Sequence, residues 1–458
     1  MLDQKPHRPA LIPCLVLTGC LFAASAPGQR AAWNSSQLKG TPDPPPPLVT
    51  ERIYADVSFD QPIAVRDLPQ RNRRVLLLRR GDLVTIASAP DARQVDLAFS
   101  ISEALAKPAG EKVAAARDMA LDPNFAVNGF VYVMWHIQPM HQAGGSRITR
   151  LTFDQADPPR IIPNSRLDIV RYHSGDHVGA SLRFGPSGYL WVTTGDGARP
   201  YPPDTFKTAQ DLTDLRGSVL RLDVSNANAQ RPYRVPDDNP FIGNPEARPE
   251  IYAFGLRNGF RSTFKPGTSE LWVADVGWER CEMIHRIQPG GNHGWSLYEG
   301  PHPVDLEQAP GPGAVIAPAI ALPRSEAQSI TGGPFLPDTT RLIRDGQTLA
   351  GRLIFGCYMN GNVWAADIEP GEAPSIHLIA STGLRLIDFC VSSLPDTPSG
   401  QTELLALDFG GGGLYRLIPN ESTSGIDDFP RKLSETGLYE DLSRLMPAEG
   451  VIAYEPAS

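Results

Sequence analysis

Few lysines, few cysteines and no long helical pattern mark this chain. Seven lysines stand in 458 residues, and Lys plus Arg (42) fall short of Asp plus Glu (51), for a net charge of −9. The summed field repels polyanions, which argues against a non-specific nucleic-acid binder. The five cysteines include no C-x-x-C pair and no Cys/His spacing suited to zinc, so a thiolate metal site is not expected. Two of them, Cys14 and Cys20, lie in an N-terminal apolar run. Cys281, Cys357 and Cys390 leave room for one disulfide whose pairing is open. Also missing are a G-x-S-x-G elbow, a GK[ST] phosphate loop and a G-x-G-x-x-G opening a helix. The run Gly410–Gly413 precedes a strand, Leu414 to Leu417, and so is not a dinucleotide fingerprint.

What is present is turn-forming: 42 glycines and 45 prolines, with 41% hydrophobic residues. That combination suits an all-β protein of many short strands. Lys5, His7 and Arg8 precede the apolar run Ala10 to Ala26, so residues 1–26 read as an export signal. Two processing readings stay open, cleavage at Ala24-Ser25-Ala26 or lipid attachment at Cys20 in Leu17-Thr18-Gly19-Cys20. An exported protein, periplasmic or extracellular, is expected. Residues 27–50, with Pro44 to Pro47, read as an extended spacer.

One phrase then recurs: a hydrophobic strand, a Pro or Gly turn, and a strand with an aromatic residue that runs into a Gly/Asp loop. Copies fall at 119–135, 182–197, 264–277, 352–367 and 403–413, with a degenerate one at 62–86. Turn prolines Pro123, Pro186 and Pro266 are 63 and 80 residues apart, the length of a four-stranded antiparallel blade with a variable insertion. A β-propeller is therefore expected over 51–418, with loops such as Thr194-Gly195-Asp196-Gly197 gathered on one rim. The remainder, 419–458, does not repeat the phrase, and 433–446 reads as a short helical tail capped by Ser434.

Candidate chemistry concentrates in two places. His177 sits in Ser174-Gly175-Asp176-His177-Val178-Gly179, where an imidazole with a neighbouring carboxylate to fix its tautomer suits a general base. The segment 249–300 carries Arg257-Asn258-Gly259, Asp275-Val276-Gly277-Trp278 and Gly290-Gly291-Asn292-His293-Gly294-Trp295. Arg and Asn there can clamp a planar polyanion or quinone oxygens, and glycines let carbonyls approach a hard cation such as calcium.

The phrases DHVGASLRFGPSGYLWVTTGDG, EIYAFGLRNGF, ELWVADVGWERCEMI and GGNHGWSLYEG resemble, in order, those of the soluble glucose/sorbosone dehydrogenases. These are six-bladed propellers dependent on pyrroloquinoline quinone (PQQ). The resemblance implies an aldose dehydrogenase that passes electrons to an external acceptor. His177 would be its base, Arg257 would support the transition state, and Asn258, Arg385 and Asp176 would bind the cofactor. It also implies main-chain oxygens of Gly277 and Trp278 on a Ca2+ ion. The sequence departs from that pattern at Trp278, where proline is usual, and in Gly356 to Asn360, which lacks the usual lysine. Lost cations weaken the hold on a tricarboxylate, by ~1.5–3 kcal/mol for each charge-assisted contact. The alternative expectation is a propeller that binds a protein or glycan without catalysis.

Overall fold

The computed structural model describes residues 46–344, 346–393, 401–421, 433–444, 446–449 and 451, so the expected export signal and most of the expected spacer lie outside the described residues. Residues 45–423 form one compact unit. It contains six four-stranded antiparallel sheets, each one blade. Blade 1 runs through Pro62–Asp67, Arg73–Leu78, Asp82–Ala87 and Val95–Ser100, and blade 2 through Lys112–Leu121, Phe130–Gln138, Ser146–Thr152 and Leu167–Tyr172. Blade 3 comprises Ser181–Phe184, Leu190–Thr193, Ser218–Leu222 and Ile251–Phe254, and blade 4 Gly259–Phe264, Leu271–Asp275, Cys281–Arg286 and Ile320–Pro323. Blade 5 comprises Ile330–Phe335, Leu353–Cys357, Asn362–Asp367 and Ser375–Ser381.

Blade 6 takes three strands from the end of the body, Leu386–Ser392, Glu403–Asp408 and Leu414–Pro419, and its fourth from the start, Leu48–Ile53. Leu48 pairs with Pro419 and Ile53 with Leu414, so the two ends close the ring by hydrogen bonds. The folded body thus starts at Leu48, three residues before the sequence suggests. Ring closure fixes the ends of the body against each other and leaves each blade only a short outer edge.

Each recurrent phrase falls in a different blade, and the first strands pack against one another around the whole ring. The apolar core lies in the seams between neighbouring blades. One cluster joins blades 1, 2 and 6 through residues such as Leu76, Trp135 and Leu407. Cys281, Cys357 and Cys390 are buried and unpaired, so the disulfide that the sequence leaves open is not formed. Residues 433–451 belong to a separate unit. There the expected helix is one 3-10 turn, Leu433–Glu435, followed by the hairpin Tyr439–Asp441 and Met446–Pro447. Gly437 at φ +71° stops the helix after a single turn.

A buried ionic cluster joins the first strands. Arg66 Nη1 donates to Asp388 Oδ2 at 2.5 Å and its Nη2 to Asp118 Oδ1 at 2.8 Å. Arg183 donates to Asp118 Oδ2 at 2.9 Å. Arg261 Nε donates to Asp388 Oδ1 at 2.9 Å, while its Nη1 reaches the Ala180 carbonyl (2.7 Å) and its Nη2 the Ile63 carbonyl (2.6 Å). Blades 1, 2, 3, 4 and 6 are thereby tied through charge-assisted bonds in a region where an unpaired charge would be costly.

Candidate active site

Antiparallel alternation sends two kinds of loop to the same rim: the one between a blade's second and third strands, and the one leading to the next blade. His177 lies in the connection from blade 2 to blade 3, and Asp196 in the inner loop of blade 3. Arg257 and Asn258 lie in the connection from blade 3 to blade 4, and Gly277 and Trp278 in the inner loop of blade 4.

These loops converge. His177 Nδ1 is 2.9 Å from Asp196 Oδ1. The Asp196 carboxylate is buried and fully engaged: Oδ1 also accepts the Ala198 N–H (2.8 Å), and Oδ2 accepts the Trp295 Nε1–H (2.8 Å). An ionised carboxylate only accepts hydrogen bonds, so it holds the proton on Nδ1 and leaves a lone pair on Nε2. The His177 side chain keeps 14% of its surface open. Asp176 does not play this part. Its carboxylate meets His141 Nε2 at 2.8 Å and Arg199 at 3.5 Å, because side chains of neighbouring residues in an extended loop diverge.

Arg257 and Asn258 are fixed by their backbones, whose N–H groups donate to the Asp275 carboxylate at 3.0 and 2.6 Å. The Arg257 carbonyl accepts the Asp196 N–H (2.8 Å), and its guanidinium lies 5.5 Å from the Trp295 ring centre. Burial pushes the Arg257 guanidinium below its ordinary pKa, while Asp196 and Asp275 pull it back up. Asn258 Oδ1 accepts the Gly179 N–H at 3.1 Å. Gly179 has φ +73°, and a Cβ there would lie 2.4 Å from the Thr193 carbonyl oxygen, so the approach requires glycine.

The Gly277–Trp278 loop wraps a buried carboxylate. Glu299 accepts the N–H groups of Trp278 (2.6 Å), Glu279 (3.2 Å) and Arg280 (3.0 Å). A trans peptide points its C=O opposite to the next N–H, so the carbonyls of Gly277 and Trp278 both aim away from Glu299. A Cβ on Gly277 would fall 1.7 Å from the Cys281 oxygen. No group of three metal-ligating side chains occurs among the described residues. A cation at this loop would therefore draw on carbonyl oxygen.

Beside these loops a cavity of about 250 Å³ enters the ring, lined by Arg79, Arg117, Asn258, Phe260, Tyr358 and Phe409 among others. Arg117 Nε is buried without a hydrogen-bond partner. Burial pushes the guanidinium down to about 10, with the charges of Arg79 and Arg261 adding to the shift. Arg385 is exposed at the edge, 5.5 Å from the Tyr358 ring centre and 3.4 Å from Met359 Sδ. Arg352 pairs with Asp367 at 2.7 Å. The sequence carries no signal for Arg79, which lies in the degenerate first repeat. Asp196 and Trp295 fall in loops that the sequence marks, yet only folding shows that Asp196 meets both His177 and Trp295.

The glucose/sorbosone dehydrogenase family model matches residues 59–311, more than half of the chain. The chain belongs to that family. This glucose/sorbosone dehydrogenase homologue is 26% identical to the HIPL1 protein of Arabidopsis thaliana over 411 residues, 76% of this chain and 57% of that one. It thus spans little more than half of that relative's length. It is 28% identical over 296 residues to the aldose sugar dehydrogenase YliI of Escherichia coli, covering 64% of this chain and 68% of YliI. The PQQ-bound aldose sugar dehydrogenase of Streptomyces coelicolor superposes with a TM-score of 0.59 at 17% identity, over 82% of this chain and 99% of that one. That likeness shows the shared fold.

The loop 198–217 of this family member also carries a titrating group near the site. Buried Asp204 accepts the N–H groups of Thr208 (3.1 Å) and Ala209 (3.2 Å) and the Ser296 hydroxyl (3.0 Å). Burial, and then the Asp196 charge, raise its carboxyl to about 6. A carboxyl raised on folding stabilises the protein below its unfolded value, about pH 4, and that contribution is lost as pH rises through about 6. Asp204→Asn is therefore expected to flatten this part of the pH dependence of Tm between about pH 4 and pH 7, on top of a pH-independent cost from an amide with one acceptor oxygen facing two N–H donors. An unchanged pH slope would contradict this.

Proposed function

We propose that the protein is an exported, PQQ- and Ca2+-dependent aldose dehydrogenase. The observation that carries the reading is the His177–Asp196–Trp295–Arg257 cluster, adjoining a cavity whose arginines have no carboxylate partner among the described residues. The cavity fits a planar aromatic polycarboxylate: Arg79 and Arg117 offer charge, Asn258 offers an amide, and Phe260, Tyr358 and Phe409 offer ring faces. Arg385 at the edge adds a cation in place of the family's lysine. The paired carbonyls of Gly277 and Trp278 fit a hard cation, whose remaining ligands would come from the cofactor and water.

When bound, PQQ supplies the two-electron acceptor for the hydride that leaves the sugar's C1. His177 Nε2 takes the proton of the C1 hydroxyl, and Asp196 stabilises the imidazolium that forms. As the C1–O bond becomes a carbonyl, a lactone results. Arg257, kept in place by Asp275 and the Trp295 ring, supplies positive charge where negative charge develops. The cluster is mostly screened from water, which strengthens each of these interactions.

Reconstitution with PQQ and Ca2+, followed by dye reduction with a panel of aldoses, tests the reading. Turnover with a primary isotope effect from C1-deuterated sugar is expected. No turnover with any aldose, despite bound PQQ, would overturn it. Calcium alone is expected to give no saturable heat in calorimetry below millimolar concentration, and clear binding once PQQ is present; tight binding without PQQ would refute the carbonyl-only site. Arg117→Met is expected to weaken PQQ binding by about ten- to a hundredfold, as loss of a charge-assisted contact implies.

The residue Met359 favours a second reading. It is exposed in the turn where the family usually carries a lysine, as suits a non-catalytic binder of a protein or glycan. Under that reading PQQ does not bind and His177 is dispensable for binding the partner.

A further inference from the structure

A second cavity lies beside the central one. An open groove of about 660 Å³ lies between the turn after Leu78 and the connection 101–111 that leads from blade 1 to blade 2. Arg79, Arg80, Lys107 and Lys112 line it, with Glu111 as the acid on its wall. Glu111 is already neutralised, held by both Arg147 amino groups at 2.6 and 2.5 Å. The Lys107–Glu103 (2.8 Å) and Arg80–Asp60 (3.7 Å) pairs are exposed and solvent-screened. Lys112 and Arg79 have no ion-pair partner among the described residues.

Two of the chain's seven lysines thus stand together, in a molecule of net charge −9. Four cations lining one concave surface focus a positive potential that the protein as a whole does not have. Arg79 belongs to both cavities, so the groove adjoins the central one. Blade 1 faces blade 4 across a ring of six, which puts the groove on the far side of the central cavity from Gly277 and Arg257. The sugar's reacting carbon belongs at His177, so the groove is free for another ligand.

We propose that this groove binds a small, multiply charged anion and that, on the sugar-oxidising reading above, it is where an anionic electron acceptor docks. Oxidation of an aldose to its lactone releases two electrons and two protons. Two one-electron acceptors, for example hexacyanoferrate(III) passing to hexacyanoferrate(II), take the electrons, and the protons leave to water.

Calorimetric titration of the full chain with hexacyanoferrate(II) reads the binding without turnover. One saturable site at low ionic strength is expected, weakening as NaCl is raised and lost in Lys112→Glu/Arg80→Glu. In the reconstituted enzyme the same double variant should slow reoxidation by hexacyanoferrate(III) at least tenfold, with reduction by sugar and reoxidation by a cationic phenazinium unchanged. Absence of saturable binding overturns the groove. Equal slowing with both acceptors, or an altered KM for an anionic sugar such as glucuronate with acceptor kinetics unchanged, overturns the acceptor assignment. Binding without any sugar turnover would leave the anion site standing and sink the dehydrogenase reading instead.

Discussion

On the proposed dehydrogenase reading, Asp196→Asn is expected to lower kcat of the reconstituted protein by ~10³–10⁴-fold with little change in KM or in folding. Three donors meet this carboxylate: the His177 Nδ1–H, the Trp295 Nε1–H and the Ala198 N–H. An amide has a single acceptor oxygen. Its NH2 group must therefore oppose a donor, or accept a new arrangement in which His177 offers the Nδ1 lone pair and carries its proton on Nε2. In that tautomer Nε2 can no longer take the sugar's proton. Comparable Asp–His pairs lose about 10⁴ when the carboxylate becomes an amide. Asp176→Asn, which removes a charge from the same loop, should change kcat by less than about twofold, since its partners are His141 and Arg199. Steady-state kinetics at saturating cofactor separate the two variants. A loss under tenfold for Asp196→Asn would mean that His177 is not the base.

The second large effect concerns stability. Arg261→Met is expected to cost about 3–5 kcal/mol, because it removes one partner from a buried ionic cluster and leaves Asp388 and Asp118 under-compensated. Arg261 is 1% exposed and serves three main-chain carbonyls, those of Ile63, Arg117 and Ala180, besides Asp388. The Ile63 and Arg117 carbonyls would lose this donor, while the Ala180 carbonyl keeps the Arg261 main-chain N–H at 3.2 Å. The urea midpoint should fall clearly, with the Arg257 site disturbed secondarily through the shared first strand of blade 4. An unchanged midpoint would show that the cluster adds no net stability. The same cluster sets a pH dependence. Burial works against the Asp118 charge, but Arg261, Arg183 and Arg66 more than overcome it and hold its carboxyl below the usual range. A depressed carboxyl contributes stability above its unfolded value and loses it as pH falls through the folded one, so this share of stability persists at pH 5 and fades below about pH 4.

The ring of blades was legible because each blade repeats a local hairpin, and a hairpin writes its turn chemistry and alternation into adjacent residues. Pro123, Pro186 and Pro266 mark three of them directly. The closing strand Leu48–Ile53 was not legible, since its partner lies at the opposite end of the body and nothing local distinguishes it from the spacer. His177 and Arg257 were visible as polar residues in glycine-rich loops. Asp196 and Trp295 lie 19 and 118 positions from His177, and their roles depend on loops of different blades meeting. The central cluster was hidden for the same reason: Arg66, Asp118, Arg183, Arg261 and Asp388 each sit alone in a different first strand. The tail misled because its helix-like spacing ignores Gly437.

The account stands on a cationic cavity beside an imidazole whose tautomer is fixed. Native mass spectrometry of the purified protein, mixed with PQQ and Ca2+, asks directly whether that cavity takes its ligand. One PQQ per chain is predicted, with reduced occupancy in Arg117→Met and unchanged occupancy in Asp196→Asn. A correctly folded wild-type protein that retains no PQQ at tens of micromolar would contradict the account.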